Sequence, residues 1–278
     1  MIGFVLFWLG PALASLVLSF TNYNVISAPN FVGLGNYAKA FTQDQLFWPS
    51  LVKTFYYAGV SVPLGLIGSL AAAMLLNVKV RGTSLFRTLF FMPSLVPIVA
   101  STVLWAWLLQ PDWGIVNSLF LRVGIIGPRW FESTEWAIPG LISLALWTSV
   151  GGPRMIIFLA GLQGVPEELH DAASIDGASR WQRFWNVTMP MITPTIFFNL
   201  VLGIIGALQV FTSAFVATEG GPAYATWFYA LNIYYQAFQY FNMGYAAALA
   251  WLFAILIIAL TWLQLRASRS WVYYAGGD

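Results

Sequence analysis

Residues Thr54–Leu76 read T-F-Y-Y-A-G-V-S-V-P-L-G-L-I-G-S-L-A-A-A-M-L-L, 23 positions without a charged side chain. The hydrocarbon core of a bilayer takes about 20 apolar residues of helix, so this run has the length of one crossing. A barrel strand would alternate apolar and polar over ~10 residues. From Gly65 to Leu76 no such alternation exists, and a helix is the reading left. Working outward, Thr88–Pro111, Phe184–Thr218 and Gly220–Leu265 are also free of charge, and the first charged side chain is Lys39. Six spans are predicted: Ile2–Thr21, Thr54–Leu76, Leu89–Leu109, Trp136–Leu162, Pro194–Val216 and Ala246–Leu265. The first is read as a retained span, because no basic segment precedes it and no small-residue cleavage site follows it.

Composition agrees. Of 278 residues 59% are hydrophobic and 8% charged, against about 45–50% and about 25% in soluble domains. So few charges cannot surface a soluble globule. With no cysteine and no charge runs, a disulfide scaffold, a disordered chain and a nucleic-acid binder are excluded. The fold class expected is an all-α integral membrane protein, one transmembrane domain over residues 1–278. Lys79, Arg81, Arg87, Arg180, Arg183, Arg266 and Arg269 fall in the second and fourth connections and the C-terminal tail. Lys39, Lys53, Arg122 and Arg129 fall in the others. Seven against four places both termini in the cytoplasm of a multi-pass cell-membrane protein. Trp227, Tyr229, Tyr234, Tyr235, Tyr240 and Tyr245 read as an interfacial aromatic belt.

The longest inward connection, 163–190, carries helix punctuation. Pro166 suits a first helical turn, Glu167 and Glu168 complement the positive end of the helix dipole, and Gly177 suits a left-handed stop. One helix is predicted from Pro166 to Asp176. Ser179 caps a second, in which Trp181, Phe184, Trp185 and Thr188 share a face until Pro190 stops it. The pair forms a hairpin at about a right angle. Its aromatic edge suits a groove on another protein, and the same pattern also suits a helix lying on the membrane surface.

Asp171-Ala172-Ala173, three residues, Gly177, nine residues, then Val187-x-Met189-Pro190 resembles the signature of ABC-importer permeases, E-A-A, three residues, G, nine residues, I-x-L-P. The spacings match. Asp, Val and Met replace Glu, Ile and Leu. Phe158-Leu159-Ala160-Gly161-Leu162-Gln163, Thr218-Glu219-Gly220-Gly221-Pro222, Met243-Gly244-Tyr245-Ala246 and Asn30-Phe31-Val32-Gly33-Leu34-Gly35-Asn36-Tyr37 add matches. Over essentially the whole chain the sequence is similar to the maltose and glycerol-3-phosphate type of permease. That resemblance implies six transmembrane helices in the type I importer fold, a second permease subunit completing the pore, a cytoplasmic ATPase dimer and an extracytoplasmic solute-binding protein. It implies that the hairpin docks on the ATPase through Glu168, Asp171, Ala172, Ala173, Asp176, Gly177, Trp181, Phe184 and Pro190. ATP and Mg would sit on the partner ATPase and no cofactor on this chain, which contains no G-x-x-x-x-G-K-[ST] loop.

One charge falls deep inside a span. Arg154 follows Gly151-Gly152-Pro153, eight residues before Leu162 and so ~12 Å from the helix end. A mid-bilayer arginine is costly and marks a functional site by default. Gly-Gly-Pro breaks the helix, as interrupted transporter spans do. In maltose-type permeases the matching position is a sugar-contacting aromatic, so Arg154 is a departure. Two structural readings stand beside a substrate-path role: snorkelling inward, or bracing a neighbouring helix. Gly203, Gly206, Ala207 and Val210 match the family's substrate-lining face, with Gln209 beside them, although small residues equally serve close helix packing. Trp147 suits either sugar stacking or ordinary packing.

Rival functions fit less well. A proton-coupled transporter places acids or His within its spans, whereas all ten acids and His170 lie outside them. With no Cys and one loop His the chain cannot build a histidine-ligated pair or a thiol site, and no catalytic or metal residue is expected. A channel leaves the hairpin spacing unexplained. The expectation is a carbohydrate importer's permease, not an enzyme, in contact with membrane lipid. The alternative is a permease for a phosphorylated or other anionic solute such as glycerol-3-phosphate, and more remotely a secondary transporter or channel.

Overall fold

The computed structural model describes residues 1–78 and 82–273, apart from the side chain of Ile2. Lys79 and Arg81 of the orientation count lie outside the described residues. Among the described residues the architecture is helical. The 23-residue run lies in α3 (Phe47–Leu76), which follows α1 (Val5–Ser19) and the short α2 (Gly35–Thr42). At 1.5 Å per residue its 30 residues extend for ~45 Å, longer than a ~30 Å hydrocarbon core. It begins seven residues before the charge-free stretch: Lys53 marks the border of that stretch and not of the helix. The Lys53 ammonium donates to the Tyr224 carbonyl at 2.5 Å, so a long stem inside the helix delivers its charge to the loop at Tyr224.

Three predicted spans are each broken. The third is α4 (Thr83–Leu95) and α5 (Ile98–Leu108), meeting at 93°. Pro97 causes the break, since a residue before proline is pushed out of the helical region and Val96 is extended (φ −73°, ψ 129°). After the short α6 (Ile115–Arg122), the fourth comprises α7 (Ala137–Ser149) and α8 (Pro153–Gln163), bent by 50° across the Gly-Gly-Pro step. The fifth ends earlier than predicted. Helix α11 (Thr193–Leu208) stops at Gln209, the backbone turns through Phe211 (φ −141°, ψ −65°), and α12 (Thr212–Thr218) starts in a new direction. After α13 (Tyr229–Tyr234), the sixth span is α14 (Met243–Ser268), again longer than its charge-free core. Among the described residues α3 and α14 are long and apolar enough to cross singly; α4 with α5, α7 with α8, and α11 with the helix that precedes it at 180–191 pass as bent pairs, and α1 is a shorter apolar helix.

The spans pack around α3, which contacts α7, α8 and α11, while α1 lies along α14. Toward the hairpin, Ala72, Ala73 and Leu76 of α3 bury Met155, Phe158, Leu159 and Leu162 of α8. At the opposite end Phe47 and Leu51 pack with Tyr229, Tyr245, Leu249 and Phe253. This corrects three members of the aromatic belt: Trp227, Tyr229 and Tyr245 are only 4%, 1% and 3% exposed, whereas Tyr234 and Tyr235 are half-buried and Tyr240 is exposed. The polar tips of the buried three find protein partners instead of headgroups. Tyr229 donates to the Leu249 carbonyl at 3.0 Å and Tyr245 to Asp44 Oδ2 at 2.6 Å. Composition cannot separate the two environments, because an amphipathic ring suits any apolar site with one partner.

Candidate functional site: a cationic cavity and an exposed hairpin

A cavity of about 240 Å³ opens between α3, α7, α8, α11 and the segments at Ile98 and Ser213. Tyr57 and Ser61 reach it from α3 four residues apart, and Gly65, one turn further on the same helical face, lies against the guanidinium. Thr148 and Ser149 come from the end of α7, and Leu202, Gly203, Gly206 and Ala207 from α11. Arg154 enters from the second position of α8. A methyl group at Gly65 would overlap the guanidinium at Nη1, and one at Gly203 would stand 3.0 Å from Nη2. The two glycines, one on each flanking helix, thus clear the space the guanidinium occupies. Among the described residues Arg154 has neither hydrogen bond nor ion pair, and the hydroxyls of Tyr57, Ser61, Ser149 and Ser213 have no hydrogen-bond partner within the chain.

The substrate-path candidates separate by place. Arg154, Gly203, Gly206 and Ala207 line the cavity. Gly203 is buried against the guanidinium and Val62, whereas a methyl at Gly206 would meet nothing within 4 Å. The same sequence argument therefore covered a packing glycine and an open one. Val210 lies in the core with Tyr57, Leu141, Ala214 and Phe228. Gln209 is exposed where α11 ends. Trp147 packs against Trp105, ring centres 6.0 Å apart, outside the cavity lining. Sequence reasoning missed Tyr57, Ser61 and Ser149; the four-residue spacing of Tyr57, Ser61 and Gly65 in a charge-free helix was the available signal.

The second site is local. Helix α9 (Glu167–Ile175) ends at Gly177, whose φ of +76° is the left-handed conformation that favours glycine. Ser179 and Gln182 form a reciprocal capping box at the start of α10 (Arg180–Met191): Gln182 N donates to Ser179 Oγ at 3.3 Å, and Ser179 N donates to Gln182 Oε1 at 2.8 Å. Arg183 Nη1 donates to Ser174 Oγ at 2.6 Å, tying the two helices together. Trp181 stacks on Phe184 with centres 5.9 Å apart, and Trp185 closes edge-on against both. Trp181 is 68% exposed. Glu168, Asp171, Ala172 and Asp176 are exposed too, with Ala173 half-buried.

Pro190 does not stop α10, contrary to expectation. Phe184–Thr188 is π-helical, with Met189 N bonded to the Phe184 carbonyl. The wider turn accommodates a proline whose ring would otherwise strike the carbonyl four residues back. The chain bends only at Ile192, by 63°, to enter α11.

An interrupted span carrying a lone cation above a capped, exposed hairpin is an arrangement of membrane transport subunits, and the chain belongs to the family described as binding-protein-dependent transport system inner membrane component, whose model matches residues 61–272. It is 42% identical over 277 residues to the probable ABC transporter permease protein YesP of Bacillus subtilis, covering 98% of this chain and 89% of that one. The lactose transport system permease protein LacF of Rhizobium radiobacter is 37% identical over 270 residues, covering 95% and 89%. A bacterial alginate ABC transporter, crystallised with its alginate-bound periplasmic protein, superimposes with a TM-score of 0.85 at 24% identity over 97% of this chain and 91% of that one. The fold is that of type I importer permeases.

Proposed function

We propose that this chain is one of two permease subunits of an ATP-driven carbohydrate importer, lining half of the translocation path with the cavity at Arg154 and receiving the ATPase at the 163–190 hairpin. The observation that carries this reading is the hairpin: three mutually packed aromatic rings held outward on a backbone fixed by Gly177 and the Ser179 cap. Exposed aromatic clusters on a rigid support are the residues that anchor protein interfaces. The solute class follows from the relatives, including the lactose permease, and from a cavity whose free hydroxyls match a polyol's bonding capacity.

ATP and Mg belong to the partner ATPase dimer in this scheme, and a solute-binding protein delivers the sugar from outside. Both termini then lie in the cytoplasm, on the hairpin's side. Closure of the ATPase dimer pulls on α9 and α10. Because α10 runs into α11 through the bend at Ile192, the movement reaches the helix that carries Gly203 and Gly206. The test is Trp181→Asp with Phe184→Asp in the reconstituted importer. Each anchor is worth ~2 kcal/mol or more, so ATPase affinity should fall roughly a thousandfold with both, while the permease pair still assembles. Unchanged ATPase co-purification and solute-stimulated hydrolysis would overturn the docking reading.

A further inference from the structure

The charge in the cavity has no counterpart among the described residues. None of the nine acidic residues among the described ones falls in a membrane-crossing helix, and among the described residues the Arg154 side chain has no hydrogen bond or ion pair. Its own helix opposes it as well. At the second position of α8 the guanidinium lies by the positive end of the helix dipole, where a cation is disfavoured. A partly desolvated cation left in that condition is costly, and its retention calls for a negative group arriving from elsewhere.

The alternatives are answered by geometry. A snorkelling side chain would reach for a helix end, but the Arg154 tip lies against Gly65 and Gly203, and Gly65 is eleven residues, ~16 Å, from the end of α3. A brace needs an acceptor on the neighbouring helix, and the surfaces met there are glycines. The guanidinium instead faces a space lined by the unpartnered hydroxyls of Tyr57, Ser61, Ser149 and Ser213. Its planar fork matches a carboxylate or phosphate with paired hydrogen bonds, while hydroxyls donate to and accept from sugar hydroxyls.

We propose that the solute carried through this cavity is an anionic carbohydrate, whose carboxylate or phosphate is held by the Arg154 fork while the surrounding hydroxyls take the sugar ring. This rests on the carbohydrate-importer reading and narrows it. Arg154 is then the residue that discriminates charged from neutral sugars.

The experiment uses the complete importer, both permeases and the ATPase, in nanodiscs without the binding protein, so that only the membrane site contributes. Equilibrium binding is measured for a uronic-acid disaccharide, its methyl ester, a hexose phosphate and a neutral disaccharide. The intact importer should bind the uronate or the hexose phosphate at least tenfold more tightly than the ester and the neutral sugar, the stronger of the two naming the anion. Arg154→Gln should reduce that preference below about twofold. Arg154→Lys keeps the charge without the fork and should fall between them. Equal binding of acid and ester by the intact importer, or a preference that survives Arg154→Gln, overturns the proposal. Should neutral sugars bind and anions not, this inference fails while the carbohydrate reading stands; should no saccharide of either kind bind or be taken up, both fail.

Discussion

The hairpin and the cavity are built by opposite means. Every feature of the hairpin is decided within about fifteen residues: a left-handed glycine at Gly177, a capping box from Ser179 to Gln182, aromatic rings at positions 181, 184 and 185. The cavity is assembled from residues as distant as Tyr57 and Ser213, and its central cation is seated by glycines at 65 and 203 on two different helices. On the proposed function, the surface that presents one rigid face to another protein is encoded locally, and the site that opens and closes is shared among separate helices.

That contrast can be broken most forcefully at Gly177. Proline cannot adopt its φ of +76°, and the misfit should cost ~3 kcal/mol or more within the hairpin. Gly177→Pro should abolish solute-stimulated ATP hydrolysis while the cavity's solute binding, read in the nanodisc assay, stays within about twofold. Loss of both would mean that the two sites are not separable.

The cavity is probed by a pair of equal substitutions with unequal consequences. At Gly65 an added methyl overlaps a flexible guanidinium tip, which yields at small cost in stability but leaves its position. Gly65→Ala should therefore reduce uptake roughly tenfold, the order of one charge-assisted hydrogen bond at ~1.5–3 kcal/mol, with little change in the thermal midpoint. Gly206→Ala meets nothing within 4 Å and should change stability by less than about 0.5 kcal/mol. A larger fall in uptake for Gly206→Ala than for Gly65→Ala would show that cavity volume, and not the placement of the cation, limits transport.

The smallest expected effect is at the cap. Ser179→Ala removes one side of the capping box and should cost ~1 kcal/mol, read as faster amide exchange over Arg180–Arg183 with uptake reduced severalfold at most. Exchange spreading into α11 would show that the hairpin's stability is shared with the spans.

The sequence by itself determined the class of molecule, its apolar candidate spans, the αL glycine and the cap. These depend on hydropathy over a crossing length or on contacts within a single turn. It also located Arg154 beside a helix break, because a charge and a Gly-Gly-Pro step stand out in an apolar run. Only the tertiary structure decided where the helices bend and what faces the cavity. Pro97 breaks its span by 93° while Pro190 sits inside a continuous α10, because a π turn relieves one ring and nothing relieves the other. Gly203 packs on the guanidinium while Gly206 is open, and Tyr229 and Tyr245 are core residues instead of interfacial anchors. In each case the residue type permits both outcomes. The choice belongs to a neighbour far away in the chain, and composition and spacing carry no record of that neighbour's distance.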